Sequence, residues 1–256
     1  MNILTLAQLE DMLELQEKLN ERVHPQWRTM GFAWGRAIAM EAAELMDHIG
    51  WKWWKAAPKA DLHQMRLELV DIWHFALSLF LESGVGPKAI YDYITKPPFD
   101  YKQVTDPREL VDVLMLAAGQ KTFNGPAFER LMEIIGLDWQ ILYEVYVAKN
   151  VLNIFRQDHG YADGTYQKMW GGEEDNVVLA KCMTSNPGIS PQQLMNQLEV
   201  FYDLNKEPEF KQYTNFYRHC GTEWQDVWSC GCDDQCPVCG HDIEPYKSME
   251  IDDETC

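Results

Sequence analysis

Apolar residues recur at steps of three and four through most of the first 205 residues, the period of an amphipathic helix. Leu6, Leu9, Leu13, Gln16, Asn20 and Val23 follow 3-4-3-4-3 spacing and predict a helix over residues 4–24. Gln16 and Asn20 lie on that apolar line, where an amide either faces a ligand or satisfies backbone groups and fixes helix register. Trp34 to Ile49 forms the next predicted helix, with Gly50 suited to a C-cap. From Leu67 to Leu81 the only polar residues are Glu68, Asp71, His74 and Ser78, at steps of 3, 3 and 4. A helix apolar nearly all round is a buried one. It is predicted over 61–82, with Asp61 as N-cap. The connection between these two helices, Trp51-Lys52-Trp53-Trp54-Lys55 and Pro58, is short enough to make them antiparallel neighbours.

Residues 84–107, rich in Gly, Pro and Tyr, read as an irregular excursion. Helical periodicity returns over about 107–121, 126–135 and 138–157, then over Asn176–Cys182 and 191–205. Residues 158–166 read as a loop, and no alternating strand pattern precedes residue 205. The fold expected is therefore all-α, a helical bundle over 1–205. A small metal-binding module over 206–248 and a disordered tail over 249–256 follow it.

Charge narrows the function. The chain carries a formal net charge of −18, and residues 206–256 hold 4 Lys/Arg against 12 Asp/Glu. Neither part offers the basic surface that attracts a nucleic-acid polymer. A small phosphorylated ligand, met through metal ions and a few local cations, fits better. The N-terminus lacks the basic and continuous apolar regions of a signal peptide. No stretch approaches the roughly 18 uncharged apolar residues of a membrane span. A cytoplasmic protein is expected.

The candidate chemistry lies in two carboxylate pairs, Glu41 with Glu44 and Glu68 with Asp71, each on one helix face. Such pairs are common on solvated helix faces. Here one pair sits on a nearly all-apolar helix, and buried carboxylates need a partner. Four of them make a hard-oxygen cage suited to Mg²⁺ or Mn²⁺. Two such ions can clamp the attacking and leaving oxygens of a phosphoryl displacement. Asp71-x-x-His74 also has the spacing of a di-iron bundle motif, but that architecture needs the motif twice, and position 47 is Asp. Lys149, Asn153 and Arg156 share a face of the 138–157 helix and offer charge to phosphates. Gln16 and Asn20, able to donate and accept side by side, suit the imide edge of uracil.

Five of the seven cysteines fall between 220 and 239, and in a chain with no export signal such clustering favours metal over disulfides. Cys236-Pro237-Val238-Cys239-Gly240 is a zinc knuckle. A second complete knuckle is missing, because Tyr217 stands where a partner of Cys220 is expected. Cys230, Cys232 or His219 must fill the vacancy, and the favoured set is Cys220, Cys232, Cys236 and Cys239. Metal would then supply much of the folding energy of so small a module. Cys182 reads as a buried hydrophobe.

Residues 1 to about 205 resemble the dimeric all-α dUTPases, within the wider all-α nucleoside-triphosphate pyrophosphatases. The segments that carry the resemblance are Leu15–Asn20, Met40–Leu45, Trp51–Lys55, Glu68–Phe75 and Lys149–Gln157, continuing to Gly160-Tyr161 and Asp163-Gly164. The resemblance implies hydrolysis of dUTP and dUDP to dUMP in a homodimer whose neighbouring subunit completes each site and whose helical lobe closes on substrate. It implies Glu41, Glu44, Glu68 and Asp71 as Mg²⁺ ligands, two or more ions per site, with Glu41 orienting the water. Lys149, Asn153, Arg156, Tyr161, Lys168 and Asn176 would hold phosphates, and Gln16 and Asn20 would read uracil. His74, Phe75 and the tryptophans at 51, 53 and 54 would wall the base and sugar pocket. Attack at the β phosphorus is also implied. The cysteine-rich module is similar to short tails on phage-encoded proteins, which would make the compartment a host cytoplasm and gives the module a role in dimer support or in docking a protein partner. The alternatives are a related pyrophosphatase for dCTP or a modified pyrimidine nucleotide, and a non-enzymatic, zinc-dependent interaction protein.

Overall fold

Asp61 starts a helix with eleven buried residues: its Oδ1 accepts from the backbone N–H of His63 and Gln64 at 3.1 and 3.2 Å. The helix, α3, spans Leu62–Glu82. The structure, a computed structural model, describes residues 2–56, 61–97, 99–205 and 213–251. Pro58 of the predicted connection, residues 206–212 at the predicted domain boundary and residues 252–256 of the predicted tail lie outside the described residues.

Before α3 come α1 (Leu6–Val23), a short 3₁₀ turn at Trp27–Thr29 and α2 (Trp34–Ile49). Thr5 and Gln8 close a reciprocal capping box on α1. Then follow α4 (Pro87–Thr95), α5 (Pro107–Gly119), α6 (Gly125–Ile135), α7 (Trp139–Asp158), α8 (Asp175–Ser185) and α9 (Pro191–Asn205). Contacts divide the chain into two compact units, Met1–Asn205 and Lys206–Cys256.

The helical unit has two apolar clusters. The larger gathers α1 to α6 and the first half of α7 around Trp73, Phe128 and Trp139. The smaller joins the second half of α7, from Ala148 to Phe155, to Trp170, α8 and α9. Helix α7 therefore runs from one cluster into the other, and Lys149, Asn153 and Arg156 lie on its second half. Helix α2 packs on both α3 and α5. Gly35 permits the second contact, because a Cβ there would run into the Ala118 carbonyl oxygen.

Four local expectations are corrected. Residues 84–107 contain a helix, α4. Pro87 starts it, and Ile90 and Ile94, one turn apart, are buried. Met169–Trp170 (β1) and Glu173–Glu174 (β2) form a two-residue antiparallel ladder around Gly171 and Gly172, both at positive φ. Val23, on the predicted apolar stripe of α1, is 48% exposed. In the second unit, β3 (Tyr213–His219) is the middle strand of an antiparallel sheet, between β4 (Thr222–Trp228) and β7 (Lys247–Glu250). Met249 and Glu250, expected in a disordered tail, pair with Thr214 and Tyr213. A short ladder of β5 (Asp234–Gln235) with β6 (Asp242–Ile243) flanks the cysteine knuckle.

Candidate active site

A cavity of about 790 Å³ opens between α1, α2, α3, α7 and the segment leading into α8. Its wall includes Gln16 and Asn20 from α1, Glu41 and Glu44 from α2, and Glu68, Asp71, His74 and Phe75 from α3. Lys149, Asn153 and Arg156 come from α7, and Tyr161, Lys168 and Asn176 from beyond it. Phe32, Trp34, His48, Gln64 and Glu174 also line it, unmarked by any sequence motif. Trp51 and Trp54, expected in the pocket wall, do not line it. They stack edge-on with each other at 5.4 Å, Trp54 stacks likewise on Trp53, and Trp51 donates to Asp47. Trp53 is 86% exposed.

At one end, carboxylate oxygens of Glu41, Glu44 and Glu68 lie within 4.8 Å of one another. Burial, then the charges of Asp71 and Glu44, push Glu41 up to about 7. Burial, then the charges of Asp71, Glu41 and Glu44, push Glu68 up to about 8. Lys149 relieves the crowding only in part. The ammonium of Lys149, itself buried, is held by Asp71 at 2.6 Å, and His48 Nε2 stands 3.6 Å from Glu68. Three hard oxygen donors this close, with Glu41 and Glu68 resisting ionisation, fit a divalent cation.

At the other end, the amides form a chain. Gln16 Nε2 donates to Asn20 Oδ1 at 3.0 Å, and Asn20 Nδ2 donates to Ser78 Oγ at 3.0 Å. Gln16 Oε1 accepts from the Tyr146 hydroxyl at 2.9 Å and meets His74 Nδ1 at 2.8 Å. That oxygen can only accept, which assigns the proton to Nδ1 and leaves Nε2 of His74 as an acceptor. Burial, then the charge of Lys149, holds the imidazole well below its usual range, so it is neutral. Nε2 is buried and has no partner among the described residues. The His74 ring stacks on Tyr146 at 4.1 Å. Ser78 and Tyr146 thus fix Gln16 and Asn20; Ser78 lies on the polar stripe the sequence showed, whereas Tyr146 was unmarked.

The metal candidates of the second unit are His219, Cys220, Cys236 and Cys239, with donor atoms within 4.8 Å of one another. His219 Nδ1 stands 3.3 Å from the sulfurs of both Cys220 and Cys239. Burial opposes ionisation of Cys236, but the backbone N–H groups of Val238 and Cys239, with His219, bring its thiol down to about 6. The favoured set included Cys232, and the structure puts His219 in its stead. The reason is strand direction. Cys220 lies at the β3–β4 turn, and the knuckle returns to that end. Cys230 and Cys232 pass beside residues part-way along β3, where Asn215 Nδ2 donates to Cys230 O and the Tyr217 hydroxyl to Cys232 O, each at 2.8 Å. Those two cysteines pair with each other.

The helical unit that holds this cleft is consistent with an all-α dUTPase domain. A family model described as dUTPase matches residues 8–161, and the chain belongs to that family. Membership supports a dUTP diphosphatase, an enzyme that takes a nucleotide substrate. No curated protein matches the chain. Lys168, Asn176 and the cysteine-rich unit lie beyond the matched span.

Proposed function

We propose that the protein hydrolyses dUTP, and dUDP, to dUMP with Mg²⁺ held by Glu41, Glu44, Glu68 and Asp71, Mn²⁺ substituting. The observation that carries this reading is the trio of converging glutamates, Glu68 buried, Glu41 half-buried and Glu44 exposed, in a cleft that also holds Lys149 and Arg156. When bound, the cation supplies charge to the phosphate oxygens and lowers the pKa of a coordinated water. Glu41, half-buried beside Glu68, orients the attacking water. Lys149, Asn153, Arg156, Tyr161, Lys168 and Asn176 hold the phosphates, and two or more ions per site match the four carboxylates. Attack falls on the β phosphorus, so hydrolysis in ¹⁸O-water puts label in pyrophosphate; label in dUMP would refute it.

Base choice is supported by hydrogen-bond polarity. Gln16 and Asn20 each keep a second amide N–H, and His74 keeps an acceptor nitrogen. Uracil presents acceptor, donor and acceptor along its imide edge, the complement of that set; cytosine presents a donor in place of one acceptor. Phe75 supplies an apolar wall. A homodimer and a zinc ion on His219, Cys220, Cys236 and Cys239 complete the proposal.

Glu68→Ala is the test. It should lower dUTP turnover by at least about 100-fold while leaving the helical circular dichroism spectrum intact. Normal turnover by this variant would exclude the carboxylate assignment.

A further inference from the structure

We infer that Asp175 is a positioning residue: together with Tyr166 it fixes the guanidinium of Arg156 in the orientation that receives phosphate. The inference rests on the dUTPase reading above and adds to it a residue that neither the motifs nor the matched family span contains.

Asp175 is fully buried at the first position of α8. An acidic residue in a first helical turn is ordinarily explained by the helix itself, through the dipole or a cap. Here the carboxylate is used elsewhere. Its Oδ1 accepts from Arg156 Nη2 at 2.8 Å, and its Oδ2 accepts from Arg156 Nε at 2.8 Å and from the Tyr166 hydroxyl at 2.7 Å. The backbone N–H of Asp175 donates to Lys168 O at 3.0 Å, which ties the carboxylate to the segment carrying another cleft lysine. A buried ion pair adds little stability over an apolar pair of the same shape, so holding α7 to α8 does not by itself explain this one.

Donor counting gives the explanation. A guanidinium has five N–H groups. Two go to Asp175, and one on Nη1 goes to Asn153 Oδ1 at 3.1 Å. One N–H remains on each terminal nitrogen, a pair that matches two oxygens of a phosphate. The long side chain is thereby immobilised before any ligand arrives, which spares that ordering cost at binding and keeps the fork in place as charge develops. Asp175 makes no claim on the substrate; it acts through Arg156.

The decisive experiment is a double-mutant cycle on kcat/KM for dUTP, comparing wild type, Asp175→Asn, Arg156→Ala and the double variant. Asn keeps the shape of Asp but sets an amide N–H against one guanidinium N–H. Asp175→Asn should cost about 10- to 100-fold in the wild-type background. In the Arg156→Ala background it should cost less than about 3-fold, since its only route to the substrate is gone. A purely structural Asp175 would cost the same factor in both backgrounds, and that result would overturn the inference. Should Asp175→Asn lose its cooperative melting transition, Tyr166→Phe carries the same comparison, with a loss of about 3- to 10-fold that vanishes without Arg156. Titrating the four proteins with inorganic pyrophosphate and Mg²⁺ repeats the cycle without a base. A wild type inactive on dUTP would then count against the substrate, while equal pyrophosphate affinities for wild type and Asp175→Asn, or no binding at all, would count against the positioning role.

Discussion

Glu41 and Glu68 keep their protons to about pH 7 and 8 because burial and neighbouring carboxylates oppose ionisation. Both values lie above the ordinary 4.5 of an unfolded glutamate, so their contribution to stability is complete below pH 4.5 and is lost as pH rises through 7 and 8. Metal-stripped protein should therefore melt at a falling temperature between pH 5 and 8.5. Glu68→Gln should flatten that slope, and added Mg²⁺ should cancel it at the alkaline end. A profile indifferent to both would contradict the electrostatic account. At this scale the carboxylates were legible because Glu68 and Asp71 interrupt an otherwise apolar helix. Asp175 was not, because an acid at a helix N-terminus is unremarkable in sequence. Trp51 and Trp54, which the resemblance implies as pocket walls, pack with Trp53 against one another, a contact that sequence alone does not show.

Elements place these residues. Helix α2 carries Glu41 and Glu44 and is seated on α5 through Gly35, where no side chain fits against the Ala118 carbonyl. Gly35→Ala should destabilise by about 1–3 kcal/mol, a fall of several degrees in Tm by calorimetry, and it should lower turnover through the displaced carboxylates. Unchanged stability would show that the two helices separate freely. The long helices were legible from period alone, α2 to its terminal residues Trp34 and Ile49. Helix α4 was not, because its nine residues carry only two buried apolar positions, amid Gly, Pro and Tyr. The grouping of His219 with Cys220, Cys236 and Cys239 turned on strand direction, which cysteine spacing does not reveal. By elemental analysis, His219→Ala should lose the bound zinc and Cys232→Ser should retain it. The reverse pattern would restore the spacing-based assignment.

Across the whole molecule, a chain of net charge −18 brings Lys149 and Arg156 into one cleft, each held by a carboxylate. Among the described residues no helix is long and apolar enough to cross a membrane. The helical unit contains the family match from end to end, and the second unit, with its sheet and Cys/His cluster, stands outside it. The central claim joins the two ends of the cleft: carboxylates for a cation at one, a donor–acceptor–donor set for uracil at the other. Release of nucleoside monophosphate from a panel of deoxynucleoside triphosphates, with and without Mg²⁺, tests both ends together. The account predicts Mg²⁺-dependent dUMP release from dUTP, with kcat/KM for dCTP lower by at least about 100-fold. Turnover of dCTP at or above that of dUTP, or full activity without a divalent cation, would contradict it.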